Sequence, residues 1–278
     1  MTNIKITKMH GCGNDFVFLD YEEFKNTGRT LEDLSKCLCD RHFGIGADGL
    51  IIPFPYSGKD ADIAWEYYNS DGTPAQMCGN GMRCFAKYVY DKSLINKKSF
   101  RVKTKAGIII PEIMNDENIK VNMGQPILTD KDIPFKGERN ISVKDKVFDI
   151  VPVSMGNPHC VIFTSENTMY LAKNYGPEIE KHEFFPEKTN VEFIKIISKN
   201  EIEMSVYERG CGITLACGTG ACAAVAACIL NNLTENKVKV NLPGGVVFVE
   251  WQGSKEKSNY DVFLIGPAKY SFIAEYML

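Results

Sequence analysis

Apolar and polar residues alternate in short stretches along most of the chain: 4–9, 16–19, 63–68, 100–103, 119–123, 147–153, 191–197, 202–207, 238–242, 246–251 and 262–265. A period of two puts every second side chain on one face, so these stretches predict strands. Two segments follow a different period. After Asn80, the residues Met82, Phe85, Ala86 and Val89 recur at i, i+3, i+4 and i+7, the spacing of one buried helical face. After Gly218, "ACAAVAACIL" is apolar on every side, and a helix of that kind has to be enclosed. The pattern predicts an α+β fold in which a curved, mostly antiparallel sheet wraps around a central helix, once in each half of the chain.

The two helix starts correspond to each other. Asn69 and Glu208, Cys78 and Cys217, Gly79 and Gly218, and Gly81 and Gly220 are each separated by 139 residues in a chain of 278. Gly13-Asn14 and Gly156-Asn157 repeat at an offset of 143, as expected if loop lengths differ. The chain therefore reads as two pseudo-duplicated domains. Residues 1–117 form the expected N-terminal half, completed by a C-terminal strand over 266–278, and 118–265 form the other half. The junction is expected between Glu112 and Met123, and 129–140 reads as a loop.

Composition narrows the class of partner. The hydrophobic share of 44% is enough for two ordinary cores, and the net charge of −3 provides no basic field for nucleic acid or an anionic membrane. A small molecule is the expected partner. The N-terminal stretch alternates lysine with apolar residues, unlike a signal peptide. The longest apolar run, 215–230, falls short of the roughly 20 residues that span a bilayer. Ten cysteines with no CxxC pair suggest reduced thiols in the cytoplasm and no metal site. Most of them, such as Cys37, Cys39, Cys222 and Cys228, are expected to behave as small buried apolar residues.

Cys78 and Cys217 differ from the rest because each opens a Cys-Gly-x-Gly helix start. A thiol there faces the N–H groups of the first turn and the positive end of the helix dipole, which favour the thiolate and lower its pKa from about 8.5. The glycines let a ligand approach the backbone closely, and an anion suits that place. Two such thiols on opposite faces of one carbon would serve an inversion next to a carboxylate, one removing a proton and the other supplying one. The plainer reading is that both are buried residues of a duplicated fold.

The blocks "MHGCGNDFVFLD", "RHFGIGADG", "NSDGTPAQMCGNGMRC", "MGNPHCVIF", "KTNVEF" and "YERGCGITLACGTGACAA" resemble, in order, the signature blocks of the diaminopimelate epimerase family. The resemblance implies a cofactor-independent enzyme of lysine biosynthesis that interconverts LL- and meso-diaminopimelate, with Cys78 and Cys217 alternating as acid and base. It implies that backbone N–H groups at Gly79-Asn80 and Gly218-Thr219 bind the carboxylate at the reacting carbon. Asn14, Asn69, Asn157, Asn190, Glu208 and Arg209 would hold the rest of the substrate, and His159 and Glu208 would tune the thiols. It also implies a cytoplasmic homodimer.

Three positions depart from the family pattern. Gly49 stands where many members carry glutamine, Ile213 replaces the Glu of a frequent Gly-Glu-Thr, and Phe272 stands where a tyrosine often supports the dimer.

Other readings of the same residues are open. A proline or hydroxyproline racemase of the same fold would use a similar thiol pair, although a monocarboxylate would not need a distal cluster led by Arg209. "GIGADG" matches a dinucleotide-binding spacing, but a helix-like stretch precedes it and a strand-like "LIIPF" follows, the reverse of what that motif requires. A thiol redox protein is a third reading, against which the thiols lie far apart in sequence. Individually, His159 also reads as a loop histidine capped by backbone, and Arg209 as half of a surface ion pair.

Overall fold

The computed structural model describes residues 2–114, 117–129, 132–255 and 257–278. The chain forms two compact units, Met1–Val121 with Gly266–Leu278, and Asn122–Ile265. Asn115 and Asp116 of the expected junction, and Asp130 and Lys131 of the expected 129–140 loop, lie outside the described residues; the remainder of that loop is irregular up to Asn140.

The elements of the first unit, in chain order, are β1 (Asn3–Gly11), β2 (Asn14–Leu19), α1 (Tyr21–Thr27), α2 (Leu31–Cys39), β3 (Gly49–Phe54), β4 (Ile63–Asn69), α3 (Gly79–Asp91), β5 (Val102–Thr104), β6 (Gly107–Ile109), β7 (Pro111–Ile113) and β8 (Asn118–Asn122). The second unit contains β9 (Asn140–Val143), β10 (Lys146–Asp149), β11 (Val151–Ser154), β12 (Pro158–Phe163), α4 (Thr168–Glu180), β13 (Asn190–Ser198), β14 (Glu201–Glu208), β15 (Gly212–Ile213), α5 (Gly218–Leu230), β16 (Lys237–Leu242), β17 (Gly245–Trp251) and β18 (Val262–Pro267). The last strand, β19 (Lys269–Met277), returns to the first unit and pairs antiparallel with β1.

The duplication is explicit in the strand pairing. In the first unit β1–β2 is antiparallel, β2–β3 parallel, β3–β4 antiparallel, β4–β5 parallel and β5–β6 antiparallel. The second unit repeats that series through β11, β12, β13, β14, β16 and β17. Helices occupy matching connections: α3 joins β4 to β5 and α5 joins β14 to β16, in each case a crossover between parallel neighbours.

Each sheet is covered on both faces. In the first unit Val17, Leu19, Leu50 and Ile52 pack with Leu34 and Leu38 of α2. The alternate residues of the same strands meet α3, with Phe18 stacked on Tyr88 at 4.8 Å between ring centroids. That is why "FVFL" is one continuous apolar run, since a strand buried on both sides has no face left for polar residues. In the second unit Cys160, Ile162, Val191 and Phe193 pack with Leu171, Tyr175 and Ile179 of α4. The opposite side belongs to α5, buried without interruption from Gly220 to Ile229.

Two sequence expectations need correction. The stretch 147–153 is not one strand: β10 pairs with β9 in a separate hairpin, and the chain leaves that hairpin at Ile150 before β11 enters the main sheet. Cys37 is only half-buried, whereas Cys39, Cys222 and Cys228 are buried as expected. Among the described residues no helix is long and apolar enough to cross a membrane.

Candidate active site

In the first unit Cys78 is the N-cap of α3. Its extended backbone turns the sulfur back over the helix start, where Sγ accepts from the Gly81 N–H at 3.4 Å. The same thiol donates to Asn14 Oδ1 at 3.5 Å, and Asn80 Nδ2 donates to that oxygen at 3.1 Å. Asn14 is held from behind, where its Nδ2 donates to Asp48 Oδ2 at 2.6 Å. Asp48 in turn belongs to a charged cluster with Arg41, Asp15 and Lys8, in which Arg41 Nη2 lies 2.8 Å from Asp48 and 2.9 Å from Asp15. Burial works to raise the Asp15 carboxyl, but Arg41 and Lys8 outweigh it and hold it below the ordinary range. Asn69, at the end of β4, donates from Nδ2 to Thr73 Oγ1 at 3.0 Å. Gly79 and Asn80 belong to the first turn of α3, where backbone N–H groups have no intrahelical acceptor.

The second unit repeats the frame with different neighbours. Cys217 is the N-cap of α5, and its Sγ accepts from the Gly220 N–H at 3.3 Å. Thr219 Oγ1 lies 3.6 Å from that sulfur and 3.4 Å from Asn157 Nδ2, its donor. Asn157 Oδ1 faces His159 Nε2 at 3.0 Å, and His159 Nδ1 lies 2.7 Å from Glu192 Oε1. A continuous chain of polar contacts thus runs Glu192, His159, Asn157, Thr219, Cys217. Glu208, at the end of β14, accepts from the Thr214 hydroxyl. Asn190 Nδ2 donates to Pro158 O at 2.9 Å, and its Oδ1 accepts from the Arg209 N–H at 3.0 Å. The Arg209 guanidinium donates to Glu187 O at 3.1 Å.

The sheet registers show why the two thiols differ. Phe16 pairs with Gly49 and Phe18 with Ile51, just as His159 pairs with Asn190 and Val161 with Glu192. Phe16 and Ile51 of the first unit are therefore the counterparts of His159 and Glu192. The floor under the helix start is apolar in one unit, where a Cβ at Gly81 would lie 3.1 Å from Ile51 and 3.4 Å from Phe16. It is ionic in the other, where a Cβ at Gly220 would lie 2.7 Å from Glu192 Oε1.

Burial, reinforced by that acidic floor, acts against the thiolate expected at Cys217. Burial pushes this thiol well above its ordinary pKa, and the Glu208 and Glu192 charges push it further; the Thr219 contact and the Gly220 N–H act the other way and lose. Burial likewise raises the Glu208 carboxyl, against hydrogen bonds from Thr214 and Cys217. The loop reading of His159 is also corrected, because the residue is fully buried inside β12 and its partners are side chains. Glu192 is the site residue that sequence reasoning did not single out. Its signal was a carboxylate in the otherwise apolar "VEFI".

The three departures have structural contexts. Gly49 opens β3 where a Cβ would lie 2.5 Å from the Tyr67 ring, so Tyr67 occupies the space a larger residue would need. Ile213 packs against the apolar cluster beneath α4, and Phe272 is exposed on β19. Of the "GIGADG" glycines, Gly44 and Gly46 lie in the connection from α2 to β3 and Gly49 opens β3, a helix-to-strand order.

The fold is shared with several solved proteins. A Bacillus anthracis phenazine biosynthesis protein of the PhzF family matches with a TM-score of 0.75 at 18% identity, covering 100% of both chains. A hydroxyproline epimerase from Agrobacterium vitis, with bound trans-4-hydroxy-L-proline, matches with a TM-score of 0.71 at 12% identity, covering 99% of this chain and 93% of that one. These likenesses define a fold class that includes epimerases. The sequence is more specific. The family described as diaminopimelate epimerase matches residues 6–129 and 151–271, and the diaminopimelate epimerase of Heliobacterium modesticaldum is 43% identical over 284 residues, covering 98% of this chain and 99% of that one. The chain belongs to the diaminopimelate epimerase family and is an isomerase acting on a small molecule.

Proposed function

We propose that the protein interconverts LL- and meso-diaminopimelate by proton transfer between the substrate α-carbon and two thiols, Cys78 and Cys217, without an organic cofactor. The observation that carries this reading is the repeated helix start: each unit caps a buried helix with a cysteine whose sulfur accepts from the N–H three residues on, at 3.4 Å and 3.3 Å. Stereoinversion needs a base on one face of the carbon and an acid on the other, and each thiol is of the right kind for either role. The N–H groups at Gly79-Asn80 and Gly218-Thr219 are suited to the substrate carboxylate, and they would stabilise the enolate-like charge that forms when the α-proton leaves.

The remaining residues fit a substrate with a second charged end. Arg209 offers a planar fork for a distal carboxylate, and Asn14, Asn69, Asn157 and Asn190 offer amides. Glu208 can accept from an ammonium, and with His159 it adjusts the protonation of Cys217.

In this reading the two units are the two halves of the duplicated enzyme, and the protein works as a homodimer in the cytoplasm. The exposed side chains Phe272, Ile273 and Met277 on β19, an edge strand of its sheet, support the homodimer. Ten free thiols suit a reducing compartment.

The test is purified protein incubated separately with LL-diaminopimelate and with trans-4-hydroxy-L-proline. Epimerisation of the first and not the second is expected; turnover of the imino acid alone would overturn the assignment.

A further inference from the structure

We propose that Asp48 is a positioning residue that fixes which way the Asn14 amide faces, and so holds Cys78 in its thiol form before substrate arrives. The inference rests on the assignment of Cys78 as a catalytic acid or base.

The geometry begins with a carboxyl oxygen that accepts from two sides. Asp48 Oδ2 lies 2.6 Å from one end of the Asn14 amide and also accepts from the Asp15 N–H at 3.0 Å. The Asn14 atom that faces it must therefore be the NH2 group. Asp48 itself is fixed on both sides: its N–H donates to Asp15 O at 2.9 Å, its carbonyl accepts from Ser70 N–H at 3.1 Å, and Arg41 holds its other carboxylate oxygen at 2.8 Å. The opposite end of the amide is then the carbonyl oxygen, and it faces the Cys78 sulfur at 3.5 Å.

A carbonyl oxygen beside sulfur favours S–H over S⁻, because the thiol donates to it and the thiolate is repelled. The dipole of α3 and the Gly81 N–H favour the opposite state. Ionisable groups near this thiol include Cys84 on α3, which interacts with Cys78, with Arg83 on the same helix and with Cys12 in the β1–β2 turn. On the strands beneath, Phe16 and Ile51 face the helix start. For the amide to present its NH2 to a Cys78 thiolate, it would have to turn its oxygen onto the Asp48 carboxylate. Asp48 thus opposes ionisation of Cys78 through Asn14 in the substrate-free protein.

The device is confined to the first unit. The residue in register with Asp48 in the second unit is Thr189, whose hydroxyl donates to Asn190 O at 3.0 Å. Asn157, the counterpart of Asn14, instead turns its oxygen to His159 and its NH2 to Thr219.

The experiment measures the pH dependence of iodoacetamide alkylation at Cys78, by peptide mass spectrometry, in the wild type, Asp48→Ala and Asp15→Asn. Asp15→Asn removes the same charge from the same cluster but leaves Asp48 on Asn14. In Asp48→Ala the midpoint is expected to fall by about one pH unit, a tenfold gain in thiolate below the midpoint, and Asp15→Asn should not reproduce the fall. An unchanged or raised midpoint in Asp48→Ala, or an equal fall in Asp15→Asn, overturns the proposal. Neutron diffraction from the substrate-free wild type decides the matter independently of how Asp48→Ala folds. Two deuterons on the Asn14 atom facing Asp48 and one on Cys78 Sγ are expected, and the reverse amide orientation or a bare sulfur overturns it. Alkylation of Cys78 that leaves epimerisation intact would instead contradict the function proposed for this thiol, whatever Asp48 does.

Discussion

His159 Nδ1 lies 2.7 Å from Glu192 Oε1, with both side chains fully buried directly beneath the Cys217 helix start. A carboxylate kept out of water needs such a partner, since an unpaired buried charge costs several kcal/mol. Among the described residues Oε1 has a partner and Glu192 Oε2 has none. The negative charge so placed opposes ionisation of Cys217. Glu192→Gln should therefore lower the pH at which Cys217 becomes reactive to an alkylating agent, read by peptide mass spectrometry. A midpoint that stays or rises would show that the carboxylate does not act on the thiol.

The two helix-start glycines should respond differently to alanine. At Gly220 the added Cβ would lie 2.7 Å from Glu192 Oε1 and 3.2 Å from Cys217 Sγ, atoms held by the buried pair and by the cap. At Gly81 the tightest contact would be 3.1 Å to the terminal methyl of Ile51, which can rotate away. Alanine in a helix gains up to about 1 kcal/mol over glycine, and overpacking costs about 1–3 kcal/mol. Gly81→Ala is expected to stay within about 1 kcal/mol of wild type, and Gly220→Ala to be the less stable of the two in denaturant unfolding.

Glu208 sets a pH dependence with a definite sign. Its carboxyl is raised in the folded protein, chiefly by burial, so folding favours the protonated form. The stability it contributes is complete below the unfolded value near 4.3 and is lost as pH rises through the higher folded value. Glu208→Gln removes that dependence. The difference in unfolding free energy between wild type and Glu208→Gln should shift against wild type as pH rises from about 4 through that window. A difference that is flat with pH would contradict the raised carboxyl.

Removing either proposed acid-base thiol should abolish turnover without loss of the fold. General acid-base groups contribute roughly 10²- to 10⁴-fold, so Cys78→Ala and Cys217→Ala should each lose at least about 10²-fold in kcat with native circular dichroism. Wild-type turnover in either variant would remove that cysteine from the mechanism.

Much of this was legible in the chain. Alternation found β1, β2, β4, β13, β14, β16 and β17, because those strands carry clear period-two or continuous apolar signals. The helical spacing of Met82, Phe85, Ala86 and Val89 located α3. The helix α4 was not found, because Gly176 and Pro177 interrupt "TMYLAKNYGPEIE" and read as a break. Gly176 is there for contact, since a Cβ would lie 2.6 Å from Tyr207 of β14.

The candidate site was legible as a set of residue types at repeated offsets. Its electrostatics were not, because they depend on what lies under each helix start. Phe16 and Ile51 in one unit, and His159 and Glu192 in the other, become counterparts only when sheet register pairs them. A helix-start argument applied to each thiol alone treats both as thiolates. Burial of Cys217, with the carboxylates of Glu208 and Glu192 beside it, reverses that expectation.

The central claim is that one cysteine, as thiolate, removes the α-proton while the other, as thiol, supplies its replacement. Initial-rate turnover of LL-diaminopimelate in deuterated water, with substrate and product separated and analysed for label at the α-carbon, tests it most directly. The expected result is deuterium in the newly formed meso product and none in the unconverted LL substrate. Label appearing in unconverted substrate as fast as in product would mean that a single exchanging base serves both faces, and would contradict the two-thiol mechanism.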